Sequence, residues 1–135
     1  MTQVIIFTNE RGGVTVCVPT GELPIEQVKT KDTPTGSIIV NRDSLPNDDD
    51  DFFNSWEMDA QGNVTVSLNK AKEQTKDRLR FERKSLLETQ DVLFQRAQEN
   101  GDDTTAIVVE KNRLRDITLL ADAATTLEEL RNINC

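Results

Sequence analysis

From Lys70 to Asn100 the chain runs through 31 residues without a glycine or a proline. Most of them are good helix formers, so the stretch has one regular solution, a single long helix. Asn69 can cap its start, accepting from a free backbone N–H of the first turn, and Gly101 supplies a left-handed stop. At 1.5 Å per residue the rod is about 45 Å long, far beyond the usual helix. Leu79, Leu86 and Leu93 recur one heptad apart, with Leu87, Phe94 and Ala97 beside them. That is a stripe, with one face covered and the other wet.

A second apolar period, Ile107, Leu114, Ile117 and Ala121, follows from about Thr104. The link Gly101–Asp103 is short enough to force the two helices antiparallel, and Asp102 and Asp103 suit the N-terminal end of the second one. Thr126 with Glu129 three residues on is a capping box that opens a short last helix carrying Leu127, Leu130 and Ile133. Three heptads are a weak coiled-coil signal, and they fit core packing as well as a docking surface. The stripe residues Leu79, Leu86, Leu87, Leu93, Phe94, Ile107, Leu114 and Ile117 are the candidate partner-binding positions. Lys111 falls outside the stripe, and its truncation is expected to do little.

Residues 1–68 have strand periodicity. Gln3–Thr8 is β-branched and apolar on both faces, which marks a covered central strand. Asn9–Gly13 is a glycine-containing turn into Val14–Val18, and the two strands form a hairpin. Leu23–Lys31 reads as a short helix with Pro24 in its tolerant first turn and Leu23, Ile25 and Val28 facing inward. Ser37–Asn41 is a third strand. Trp56–Met58 and Val64–Leu68, joined by Asp59–Asn63, form a second hairpin, which makes a sheet of four or five strands. Phe52, Phe53 and Trp56 lie around a short helix capped by Asp51 and are expected to join the head to the helices.

The expected fold is therefore α+β. A small antiparallel β-rich head, residues 1–68, precedes a long-helix antiparallel hairpin with a short C-terminal helix, residues 69–135. Only 36% of residues are hydrophobic and 30% are charged, so the core is thin and stability is expected to be shared with a partner.

Several chemistries find no foothold. The chain has no histidine, the commonest general base and metal ligand. Its six glycines form neither a phosphate loop nor a dinucleotide fingerprint. The run Asp48–Asp51 offers hard oxygen ligands but lacks the alternating spacing of a calcium loop. No catalytic residue, cofactor or metal is expected, and the chain reads as a non-enzyme. A net charge of −8 disfavours nucleic acid. Residues 1–67 carry 4 basic and 11 acidic side chains, so the head is the acidic end. Lys76, Arg80, Arg83 and Lys84 cluster on one helical side, as a solvated face or an anion site. Neither a signal peptide nor a membrane span is apparent. Two cysteines, Cys17 and Cys135, make no disulfide framework and suit a reducing cytoplasm.

Two stretches resemble known proteins. VIIFTNERGGVTVCVPTGELPIEQV, followed by the turn Lys31-Asp32-x-Pro34-x-Gly36, resembles the start of small proteins encoded near tail and fibre genes of tailed bacteriophages. LRFERKSLLETQD…FQRAQENGDDTTAIVVEKNRLRDIT…TTLEELRNI resembles a helical module of phage tail proteins and tail assembly chaperones. The module's R-x-x-LL-x-x-x-D helix is represented by Arg83, Leu86, Leu87 and Asp91, and its LRDI helix by Leu114–Ile117. The resemblance implies a virion component, fibre- or baseplate-proximal, or else an assembly chaperone that leaves before maturity. Its partners would be other phage tail or fibre proteins or further copies of itself. Its place would be the host cytoplasm during assembly and the virion tail if retained. The chaperone families often carry a Trp-rich segment between the two helices, where this chain has only Gly-Asp-Asp, a departure from the chaperone pattern.

Overall fold

A computed structural model describes residues 2–135, and the fold is α+β. The chain divides into two compact units, one ending at Ala71 and the other spanning Lys72–Cys135.

In the first unit, β1 (Gln3–Thr8) lies between β2 (Val14–Cys17) and β3 (Ile38–Asn41), both antiparallel to it. Ile6 pairs with Val16 on one side and Ile38 on the other, and Val4 pairs with Val40. That face, with Val14, Leu45 and Trp56, is the core of the head. Ile5 points to the opposite face and is equally buried. The helix α1 (Ile25–Asp32) packs against β1 and β3 and buries Val28. A strand covered on both faces needs apolar side chains at successive positions, which is why QVIIFT does not alternate. Pro24 precedes α1 as its N-cap, and Leu23, expected to face inward, is exposed.

The second hairpin, β4 (Trp56–Met58) with β5 (Val64–Val66), does not extend this sheet. It is a separate two-stranded ribbon whose Met58, Val64 and Val66 pack on the same core. The expected sheet of four or five strands is thus a three-stranded sheet with a ribbon on it. The close approach is visible at Gly62, where a Cβ would lie 2.9 Å from Ile38 Cγ2 and 3.2 Å from Val40 Cγ1.

Asn47–Ser55 forms two 3-10 turns that meet at a kink, and the Asp48–Asp51 run lies within them. Phe52 and Trp56 are buried, whereas Phe53 is 38% exposed and meets Trp56 edge-on at 4.8 Å. Trp56 belongs to the head's core, and its indole N–H donates to the Asp49 carbonyl at 3.2 Å. An indole brings both a large apolar body and a donor that needs a partner, and both are satisfied inside the head.

Both hairpins use one turn chemistry. Asn9 Oδ1 accepts from the N–H of Arg11 and of Gly13, both at 3.0 Å, and Gly12 takes φ +78°. Asp59 Oδ1 accepts from Gln61 and Asn63, both at 2.9 Å, and Gly62 takes φ +86°. A short side-chain acceptor opens each turn, and glycine supplies the left-handed position three residues later.

The helix α2 spans Leu68–Asn100 without interruption. Its cap is Ser67, whose Oγ accepts from Lys70 N–H at 3.3 Å, so Asn69 lies inside the first turn. Within the first unit, Lys70 pairs with Glu57 at 3.0 Å and donates to the Gly12 carbonyl at 3.1 Å. Gly101 closes the helix at φ +71°, with Gly101 N–H on Gln98 O at 3.2 Å and Asp102 N–H on Ala97 O at 2.8 Å. That double bond to the last turn satisfies two orphan carbonyls.

Two outcomes are expected. Hydrogen bonds from Asn63 and from the turn's backbone amides hold the Asp59 carboxyl below the usual aspartate value. The second turn is therefore stabilised above that value and loses the contribution as pH falls through the lowered one. In an acid titration followed by NMR, the amides of Gln61 and Asn63 should shift, while those of Arg11 and Gly13, bonded to a neutral Asn9, should not. Gly62→Ala, strained in φ and crowded by Ile38, should lose about 2–3 kcal/mol. Gly101→Ala, with open space around it, should lose only about 1–2 kcal/mol in denaturant unfolding.

Candidate association surface

The second unit consists of the greater part of α2, with α3 (Thr105–Ala123) and α4 (Leu127–Arg131). Thr104 caps α3 by position, and the Asp103 carboxylate accepts from the Thr105 amide at 3.0 Å and its hydroxyl at 2.7 Å. Both bonds favour the ionised form and lower the Asp103 pKa. Thr126 Oγ1 accepts from Glu129 N–H at 3.2 Å to open α4, and Glu129 accepts in return from Thr125 N–H at 2.7 Å.

Cations of α2 and α3 tie the helices in antiparallel register. Lys111 pairs with Asp91 at 2.6 Å and lies 5.0 Å from the centre of the Phe94 ring. About two turns back along α2, Arg83 donates to the carbonyls of Leu114 at 3.3 Å and Arg115 at 2.8 Å. Farther back, Lys76 pairs with Asp122, and Lys72 donates to the Asp122 carbonyl at 3.0 Å. Asp122 and then Glu73 hold the Lys76 ammonium pKa above its ordinary value. Arg78 clamps the chain end, donating to Leu130 O at 3.3 Å, Ile133 O at 2.7 Å and Glu82 at 2.9 Å. Of the basic cluster singled out in the sequence, Lys76 and Arg83 are thus engaged by the helical unit itself, and Arg80 pairs with Asp77 at 2.8 Å. Lys111 is a clasp between the helices, not a bystander.

The predicted stripe splits in three. Leu79, Leu114 and Ile117 are buried and form the interior of the unit, so they are closed to a partner. Leu87, Phe94 and Ile107 are half-buried, and Phe94 meets Lys111 of α3. Leu86 and Leu93 are each 41% exposed. The heptad drifts around a straight helix, and α3 covers only one side of it. Other exposed apolar residues lie off the stripe: Phe81 at 84%, with Val92, Val109, Leu119 and Leu120. At 100° per residue Phe81 and Val92 sit on the far side of α2 from Leu79, which a helical wheel makes visible.

Cys17 and Cys135 are free thiols. Burial, then the nearby Glu82 charge, raises the Cys135 pKa, and its S–H lies 3.7 Å from the Leu79 carbonyl. Among the described residues, no group of three His, Cys, Asp or Glu side chains could hold a metal ion, and no helix is long and apolar enough to cross a membrane. No family model, curated protein or solved structure matches the chain.

Arg78→Ala should speed hydrogen exchange across residues 127–133 and cost about 1–2 kcal/mol, because four acceptors, Asn134 Oδ1 among them, lose a charged donor. Lys111→Ala should cost about 1 kcal/mol, the usual scale for a partly screened pair with a ring contact.

Proposed function

We propose that this protein is a non-enzymatic structural component of a tailed bacteriophage, fibre- or baseplate-proximal, acting through protein–protein contacts of its helical unit. The observation that carries the association half is the set of large apolar side chains left in water on a short helical unit: Phe81, Leu86, Val92 and Leu93 on α2 and Val109, Leu119 and Leu120 on α3. They lie on more than one side of α2, and large apolar side chains left open in this number on a small fold mark surface for association. The phage half is supported by the likeness of VIIFTNERGG…PIEQV and of the Arg83/Leu86/Leu87/Asp91 and Leu114–Ile117 segments to phage tail proteins. On this reading the partners are other tail or fibre proteins, met in the host cytoplasm during assembly.

Mass spectrometry of purified particles tests the proposal. Recovery at a fixed copy number is the expected result. Presence in infected-cell lysate with absence from mature particles would make the protein an assembly chaperone instead. Substitutions separate folding from association. Leu79→Ala, in the closed interior, should cost about 2–4 kcal/mol. Leu86→Asp should leave the circular dichroism spectrum of the helices in place and lose incorporation into particles.

A further inference from the structure

We propose that the occupant of the Leu86–Leu93 side of α2 is a second copy of this chain, packed antiparallel about a two-fold axis at Thr89. This rests on the reading of that side as an association surface and names its partner.

The order of residues along this side is self-complementary. Glu82, Leu86, Thr89, Leu93 and Arg96 follow at steps of four, three, four and three, the spacing of a seam between two packed helices. Starting from Thr89 and moving either way, a leucine comes next and then a charge, and the two charges are opposite. Turning a second copy end for end about Thr89 sets Leu86 against Leu93, Thr89 against Thr89, and Glu82 against Arg96, every pair but the central one occurring twice. Parallel in-register packing would instead set Glu82 on Glu82 and Arg96 on Arg96, like charges in contact, which opposes association. The sign pattern therefore selects the antiparallel pair.

Exposure agrees with this. Leu86 and Leu93 are equally exposed, and Thr89 and Arg96 are open to solvent. The Glu82 side chain remains 36% accessible beside Arg78. A tail surface of one charge sign would not match a seam carrying one acid at one end and one base at the other, whereas a reversed copy matches both ends at once. The seam is about 21 Å long and has only two leucine layers and two charge pairs, so the dimer is concentration-dependent.

The test uses the full chain with Cys17→Ser and Cys135→Ser. Glu82→Cys and Arg96→Cys variants are oxidised separately and as an equimolar mixture. A disulfide-linked dimer should appear only in the mixture, because in the antiparallel pair the two Glu82 positions lie about 21 Å apart, outside disulfide reach. A linked dimer from either variant alone, or none from the mixture, overturns the proposal. Sedimentation equilibrium gives a second readout with the cysteines in place. Glu82→Arg and Arg96→Glu should each raise the dimer dissociation constant about tenfold or more, and mixing them should restore it to within about threefold. A wild-type chain monomeric at about 1 mM, on the weak edge of specific association, would end the dimer proposal. A monomer recovered in particles defeats this inference alone, and a dimer absent from particles defeats the virion assignment alone.

Discussion

The antiparallel clasp between α2 and α3 is the contact on which the second unit depends. A helix of 33 residues gains little from its own hydrogen bonds in water and needs a covered face. Leu79, Leu114 and Ile117 close that face, and Lys111, Arg83, Lys76 and Lys72 tie it at successive levels from residue 91 back to residue 72. Several of these bonds end on backbone carbonyls. A cation that reaches a carbonyl keeps its bond whatever side chain stands on the neighbouring helix, so the register is held by main chain as well as by leucines. Arg78 does the same for the carbonyls that end α4.

The head solves a different problem. With few large residues to fill a core, it stacks thin layers on one central strand. One side of β1 is closed by the β4–β5 ribbon and the other by α1. Gly62 lets the ribbon's turn approach Ile38 and Val40 at a distance no side chain would allow. Trp56, the single tryptophan, fills the remaining space, with its polar edge answered by Asp49.

Much of this could be read from the letters. The glycine- and proline-free run and its Gly101 stop, the capping box at Thr126, the non-alternating QVIIFT strand and both hairpin turns each follow from local chemistry that acts within a few residues. Two differences arise where one element hands over to the next. Ser67 and Asn69 are both competent caps two residues apart, and only the backbone's actual path chooses Ser67. Leu68 continues the alternation of Val64 and Val66 yet begins the helix, because strand and helix patterns overlap where one element hands over to the next.

Local periodicity thus determined which segments are helix and which are strand, and it marked Leu79, Leu86 and Leu93 as one apolar row. It could not say how far around the rod the cover would reach. That depended on where α3 and the chain end come to lie: Leu79, whose carbonyl meets Cys135, is buried, and Leu86, Leu93 and Phe81 are left in water. The ribbon's refusal to join the sheet was decided in the same way, since strand pairing is a contest between distant edges that no single segment records. The residues left for a partner are those that the fold's own packing did not use, and only the tertiary structure can reveal them.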